Sequence, residues 1–349
     1  MEIGIGLDLT PRITYAEQRE AIAEAVRLGY ASAWTPAGFA PDAFHTCVQW
    51  TEAADTAGDA NFKTGISVVP VPLWTVPSLA SVAATTGQLA SGRFSLGIGT
   101  GSITSAPYRE SFGLPAYPPI ALMRDYLVTL RKLLAGERVD YTGRTVTLKG
   151  VQLDWPWERP HVPVMLGALG PQMLRLAGAA ADGATLNWCT PEQIAWSRER
   201  VVEGATQAGR DPADIQIVEY IRICVDEDED TARRALTRAI MGYALARPGA
   251  SKEQGYRAHF ARMGFDDALT DLEARRESGA SNEEVVEAFP RDLLRMVGYY
   301  GPAAGAAAAF RRLAVGLDVA LVRIVPARPG LASVLSTIRA CRLESRVHP

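Results

Sequence analysis

The chain has few residues of the kind that hold metals or cross-links: four cysteines and four histidines among 349 residues. Cys47, Cys189, Cys224 and Cys341 are scattered, with no C-x-x-C pair, so neither a zinc site nor a disulfide framework is signalled. Cys47 and Cys224 sit in apolar patterns and read as small core residues. No two of His45, His161, His259 and His348 have ligand spacing, which disfavours a metal-dependent hydrolase, and no metal is expected. Long apolar runs are missing too, so no membrane span is expected. The opening Met1-Glu2-Ile3-Gly4-Ile5-Gly6 has no basic region followed by an apolar one; it does not read as a signal peptide, and a cytoplasmic setting is the expectation. Basic runs are absent and the net charge of -3 is spread along the chain, which argues against a nucleic-acid partner. The dense acidic stretch Asp226 to Asp230 reads as a solvated loop and helix start, where carboxylates suit the macrodipole.

What remains is a globular composition, 48% hydrophobic and 21% charged, able to bury a large core. Strand and helix patterns alternate along it. Strands are expected at 3–9, 31–35, 62–71, 94–98, 163–168, 183–188, 215–225 and 319–325. Helices are expected at 14–28, 42–57, 77–90, 120–134, 171–181, 191–208, from about 231, and at 331–342. Val139 to Leu148 turns around Thr142-Gly143 and reads as a surface hairpin. The polar region Arg247 to Gly301, with Tyr256, His259, Phe260, Met263 and Phe265, fits the repeat poorly and reads as a helical insertion after the seventh strand. Near-continuous apolar strands argue for a parallel sheet covered on both faces, in one domain spanning 1–349. Periodicity alone leaves a closed barrel and an open doubly wound sheet both possible.

Three blocks are more specific. Glu24 to Trp34 reads EAVRLGYASAW. The segment Lys63 to Pro72 (KTGISVVPVP) leads to Gln88 to Gly101 (QLASGRFSLGIGTG). Pro163 to Gly178 (PVMLGALGPQMLRLAG) continues to Ala181-Asp182-Gly183. Together they resemble the luciferase-like monooxygenase family, in wording closer to its coenzyme F420-dependent branch, over most of residues 1–245. The resemblance implies a (β/α)₈ TIM barrel whose cofactor, F420 or alternatively FMN, lies at the C-terminal ends of the strands. It implies hydride transfer to or from a C=C, C=N or C=O of a small substrate, and a homodimer. An FMN-dependent monooxygenase fed by a separate flavin reductase is the alternative, and a catalytically silent flavin-binding protein a third reading.

The loop Gly167-Ala168-Leu169-Gly170 followed by Pro171, Gln172 and Met173 suits a phosphate. Its glycines admit a ligand close to the backbone, Pro171 fits a first helical turn, and the next N–H groups face outward at a positive helix end; the plain alternative is an ordinary strand-to-helix turn. By resemblance, Ser67-Val68 lies where relatives carry a non-proline cis peptide that backs the cofactor ring, and Thr100 and Gly101 border its polar edge. Asn187 offers an amide at the end of the sixth strand. Asp8, ending the first strand, and Glu219, in the seventh, are the candidate proton donors; a buried acid there would have a raised pKa. Glu219 and Arg222 read more simply as a structural ion pair. Trp34, Trp74, Tyr108 and Trp188 are candidates for an apolar substrate wall, with core packing the plainer role for each. The family's sugar-phosphate dehydrogenases have Asp-His after the second strand and Glu after Gly-Thr-Gly. Here Pro36-Ala37-Gly38 and Ser102 stand instead, which argues against that activity.

Overall fold

A computed structural model describes residues 1–342 apart from 9, 39, 104, 156, 157, 159 and 248–250. Leu9, expected to close the first strand, and His348 lie outside those residues, as do 248–250 of the expected insertion. The strands are β1 Glu2–Gly6, β2 Ser32–Thr35, β3 Lys63–Pro70, β4 Phe94–Gly99, β5 Val139–Thr142, β6 Thr147–Val151, β7 Val164–Gly167, β8 Gly183–Asn187, β9 Gln216–Val225, β10 Gly298–Gly301 and β11 Val319–Ile324. Eight of them, β1, β2, β3, β4, β7, β8, β9 and β11 in that order, pair in parallel, and β11 closes on β1. Helices connect successive strands, so the fold is a (β/α)₈ barrel. The remaining choice between barrel and open sheet is settled by the β11–β1 pairing.

The helices begin where their sequences can cap them. Thr14 and Thr190 form capping boxes with Glu17 and Gln193, and Asp42 accepts from the His45 N–H. The hairpin β5–β6 is antiparallel and is tied to the helix Pro119–Leu134 through Asp125, which accepts from Tyr141, Thr145 and Val146. Among the described residues no helix is long and apolar enough to cross a membrane. All four cysteines are free and buried.

Strand alternation decides what fills the barrel. Val218 and Tyr220 of β9 and Val319 and Leu321 of β11 cluster inside with Trp34 and Met165. Glycines make room for these large side chains. A Cβ on Gly65 would lie 2.4 Å from the Trp34 ring, and one on Gly6 would lie 2.8 Å from Tyr220. Two more glycines bring helices Pro171–Ala180 and Pro191–Gln207 together: a Cβ on Gly178 would meet the Val201 carbonyl at 2.0 Å, and one on Gly204 the Arg175 carbonyl at 2.0 Å.

The added region is larger than its polar composition suggests. Helix Glu229–Ala244 follows β9 as expected, with Asp228 of the acidic stretch as its N-cap. Its apolar face, Ala232, Leu236, Ile240 and Ala244, packs in a second core that joins Cys224 of β9 to Phe260, Leu269, Val285, Phe289 and Leu293. β10, which the sequence did not suggest, extends β9 at Arg222–Val225. The helix that covers the barrel before β11 is Ala303–Leu313, through Ala306, Phe310 and Leu313. Ion pairs stitch the added unit together: Arg257 to Glu273, buried, at 2.9 Å, and the buried Arg233 to the half-exposed Asp230 and Glu287.

Candidate active site at the barrel mouth

Two cavities compete for attention. One of about 850 Å³ opens at the base of the barrel, among the N-terminal ends of β1, β3 and β4 and beside Trp34. A smaller one of about 220 Å³ lies at the mouth, beside Asp8 and Thr35 to Gly38. We assign the chemistry to the mouth rather than to the larger cavity, because catalytic groups of such barrels stand at the C-terminal ends of the strands; the 220 Å³ space meets it at Asp8 and otherwise runs against Gln18, Thr46 and Trp50 of the first two helices. The charged groups at the base, moreover, are neutralised in pairs, Glu2 with Lys63 and Asp55 with Arg93.

On one side of the mouth stand β3, β4 and β7. The Ser67–Val68 peptide is cis, and the β3–β4 register shifts between Ile66 and Val69. This bulge pushes Val68 against two glycines. A Cβ on Gly99 would lie 2.6 Å from its Cγ2, and one on Gly167 3.2 Å from its Cγ1. Gly101 has φ +59°, and the Tyr108 hydroxyl lies over it. Thr100 donates its hydroxyl to the Gly101 carbonyl at 3.1 Å. Beyond Gly167, Ala168 is tied to β8 by its N–H on the Thr185 carbonyl. Leu169 and Gly170 then lead into helix Pro171–Ala180, whose N-terminus no side chain caps. The backbone there is open: a Cβ on Gly170 would touch nothing within 4 Å.

Across the barrel stand β9, β11 and β1. The inward alternation that buries Val218 and Tyr220 continues to Arg222, and that of Val319 and Leu321 to Arg323; the two arginines are register partners. Arg323 forms an ion pair with Asp8 and lies 5.0 Å over the Tyr220 ring. Among the described residues its Nη1 is buried without an acceptor, and so is the Tyr220 hydroxyl. Arg222 is stacked 4.0 Å over Trp188 and donates to the Asn187 side-chain oxygen and, at 3.0 Å, to the Tyr220 carbonyl. Burial pushes its pKa down. The Asn187 amide in turn donates to the Tyr256 hydroxyl at 2.6 Å, so the added unit reaches the mouth. It is pinned nearby by His259, whose Nε2 donates to the Trp188 carbonyl at 2.9 Å; burial lowers this imidazole to about 4 and keeps it neutral.

A model of the luciferase-like monooxygenase family matches residues 2–317. The chain belongs to that family. Among curated relatives, the 5,10-methylenetetrahydromethanopterin reductase of Archaeoglobus fulgidus is 31% identical over 167 residues, 48% of each chain. That of Methanolobus tindarius is 29% identical over 148 residues, 42% of this chain and 44% of its own length. The match thus spans about half the length of these relatives. Among solved structures, the coenzyme F420 dependent tetrahydromethanopterin reductase from Methanopyrus kandleri superimposes with a TM-score of 0.77 at 19% identity, covering 98% of this chain and 99% of that one. An F420-dependent secondary alcohol dehydrogenase in complex with an F420–acetone adduct gives 0.71 at 19% identity and the same coverage. At such identities these structures speak for the fold.

Within this luciferase-like barrel the expected site residues divide. Ser67, Val68, Thr100, Gly101 and the loop Gly167 to Met173 are brought along one side of the mouth, and Asn187 stands beside Arg222. Asp8 faces the mouth, but in an ion pair with Arg323 rather than in apolar surroundings. Glu219 faces away from it. Its Oε1 accepts the Cys189 N–H at 2.6 Å, and it makes no ion pair with Arg222, because residues three apart on a strand point to opposite faces. Burial raises its carboxyl to about 8, and its Oε2 is without a partner. Trp34 is no substrate wall: it fills the barrel interior below the mouth. Trp188 is fully buried beneath the added unit, at φ +60°, rather than open to a ligand. Trp74 packs edge-on against Phe44 at 5.5 Å, at the side of the barrel. Tyr108 alone of the four aromatics stands over the mouth, at Gly101. Sequence reading missed Tyr220 and Arg323, although the alternation Val218-Tyr220-Arg222 and Val319-Leu321-Arg323 signals two inward columns ending in cations.

The mouth fits a flavin-type cofactor on its own features. One side offers a forward-pressed apolar side chain above side-chain-free glycines and an uncapped helix end for an anionic group. The other offers polar atoms without partners.

Proposed function

We propose that this chain is a coenzyme F420-dependent oxidoreductase acting on a C=C, C=N or C=O of a small organic substrate, or on its reduced form. The observation that carries the reading is the pairing of the Val68 bulge with the open helix end after Gly170, on one side of one mouth. Coenzyme F420, named for a similar glucose-6-phosphate dehydrogenase of Microbacterium testaceum and for the two solved structures, supports it. In this reading Val68 backs the ring, and the N–H groups of Gln172 and Met173 receive the phosphate. Asn187 holds the ring's polar edge. When bound, F420 supplies or accepts a hydride in two-electron steps. The protein's share is position and a dry wall, with Tyr108 covering the open edge. Asp8, inward-facing on β1, is the group that exchanges a proton with substrate; Glu219, outward-facing, is not.

Titration of the purified chain with F420 and FMN in parallel, oxidised and reduced, tests this by cofactor fluorescence. Tight F420 binding with weak FMN binding is expected. Preference for reduced FMN would move the reading to oxygen activation with a separate flavin reductase. Cofactor binding without turnover across enones, imines and alcohols would leave a silent flavin-binding protein.

A further inference from the structure

From the mouth we infer that the substrate of this enzyme carries a carboxylate, received by Arg222, Arg323 and the Tyr220 hydroxyl. The inference rests on the cofactor reading for its geometry and on independent observations for its chemistry. In barrel order β3 and β4 stand opposite β9 and β11. A ring backed by Val68 therefore turns its free face across the mouth toward the in-register arginines.

Three features of that face are unexplained by folding. Among the described residues two guanidiniums stand beside a single carboxylate, Asp8, which pairs with Arg323 only. Among the described residues no carboxylate lies within 4.0 Å of Arg222, whose residue is 5% exposed; its recorded acceptors are an amide oxygen and a carbonyl. A buried cation without an anion is costly, and like charges side by side in register add to the cost. Among the described residues Arg323 Nη1 and the Tyr220 hydroxyl are buried donors without acceptors, in residues 7% and 5% exposed. Leaving such donors unpaired in a folded protein is costly. One oxyanion resolves all three: it neutralises the excess charge and accepts from both orphaned donors. A neutral substrate would leave the charge of Arg222 unbalanced. Planar guanidiniums favour a carboxylate, which accepts two N–H groups at once. The stacking of Arg222 on Trp188 and its bond to Asn187 fix the fork before any ligand arrives.

The test is calorimetric titration of the full chain with benzoate and with benzamide, its neutral isostere, together with an F420 fluorescence titration of the same preparations. Benzoate is expected to bind at least about tenfold more tightly than benzamide, the scale of one charge-assisted contact. Arg222→Met should erase that preference. Arg222→Lys, which keeps the charge and loses the fork, should retain part of it and guards against misfolding as the cause. Equal binding of benzoate and benzamide, no benzoate binding, or an undiminished preference in Arg222→Met would overturn the proposal even if F420 binds. Loss of F420 binding in the wild type with the benzoate preference intact would overturn the cofactor reading and leave the carboxylate site standing.

Discussion

At the base of the barrel, the four charged side chains around the cavity meet in two pairs, Glu2 with Lys63 at 2.6 Å and Arg93 with Asp55 at 2.7 Å. At the mouth, on strands of the same sheet, Arg222 has no carboxylate within reach among the described residues, and Arg323 and Tyr220 keep donors without acceptors. The two ends share one scaffold and differ in what they leave unsatisfied. Folding alone accounts for the base. The mouth is held in an arrangement that folding opposes, and strain of this kind is retained where a ligand completes it.

The comparison can be sharpened by removing these features one at a time. The largest effect is expected at Glu219, under the loop that leaves β8. An ordinary glutamate titrates near 4.5, and burial moves this one to about 8. Between those values the folded state holds a proton that the unfolded state has released, so stability is fully present below pH 4.5 and is lost as pH rises through 8. Glu219→Gln keeps an acceptor for the Cys189 N–H and removes the titration. It should stabilise the fold by about 3 kcal/mol at pH 7 and show no gain near pH 4. Denaturant melts at the two pH values check this, and an equal gain at both would show that the carboxyl is not protonated in the fold.

Next is the mouth itself. Arg222→Met removes the unbalanced cation and is expected to raise stability by about 2 kcal/mol, as apolar replacement of a buried charge often does. A melting temperature below that of the wild type would mean that Asn187 and the Trp188 ring depend on Arg222 more than the charge costs.

The smallest effect belongs to the base. Arg93→Met leaves Asp55 without its partner, but that carboxylate is 45% exposed, so the loss should be about 1 kcal/mol and should shrink in high salt. F420 affinity should be unchanged. A loss of affinity in this variant would blur the distinction between the two ends.

Much of this was legible beforehand, and the failures share one cause. The barrel strands and the capping residues Thr14 and Asp42 follow from local pattern, and Gly167 to Met173 forms the strand, loop and helix start its spelling implies. Faces were harder. Glu219 and Arg222 are three residues apart, which makes neighbours on a helix but opposite faces on β9. Helix Glu229–Ala244 has the same i, i+4 apolar spacing as a barrel helix, and spacing does not say which core it meets. β10 is four residues, Gly-Tyr-Tyr-Gly, too short for a periodic signal. The Trp34 ring enters the barrel because Gly65 beside it has no side chain, a fact about two strands at once.

The main-chain contacts of Gly178 with Val201 and of Gly204 with Arg175 bear on how the mouth responds to mutation. Side-chain interfaces can drift by exchanging rotamers. Two helices that touch main chain to main chain have no such freedom, so the helix beginning at Pro171 moves only together with the helix beginning at Pro191. At the end of β8 the added unit is held instead through single side chains, His259 on the Trp188 carbonyl and Tyr256 on Asn187, which can be exchanged singly. Change at this contact can therefore come one side chain at a time, while the helix end after Gly170 acts as a fixed jig.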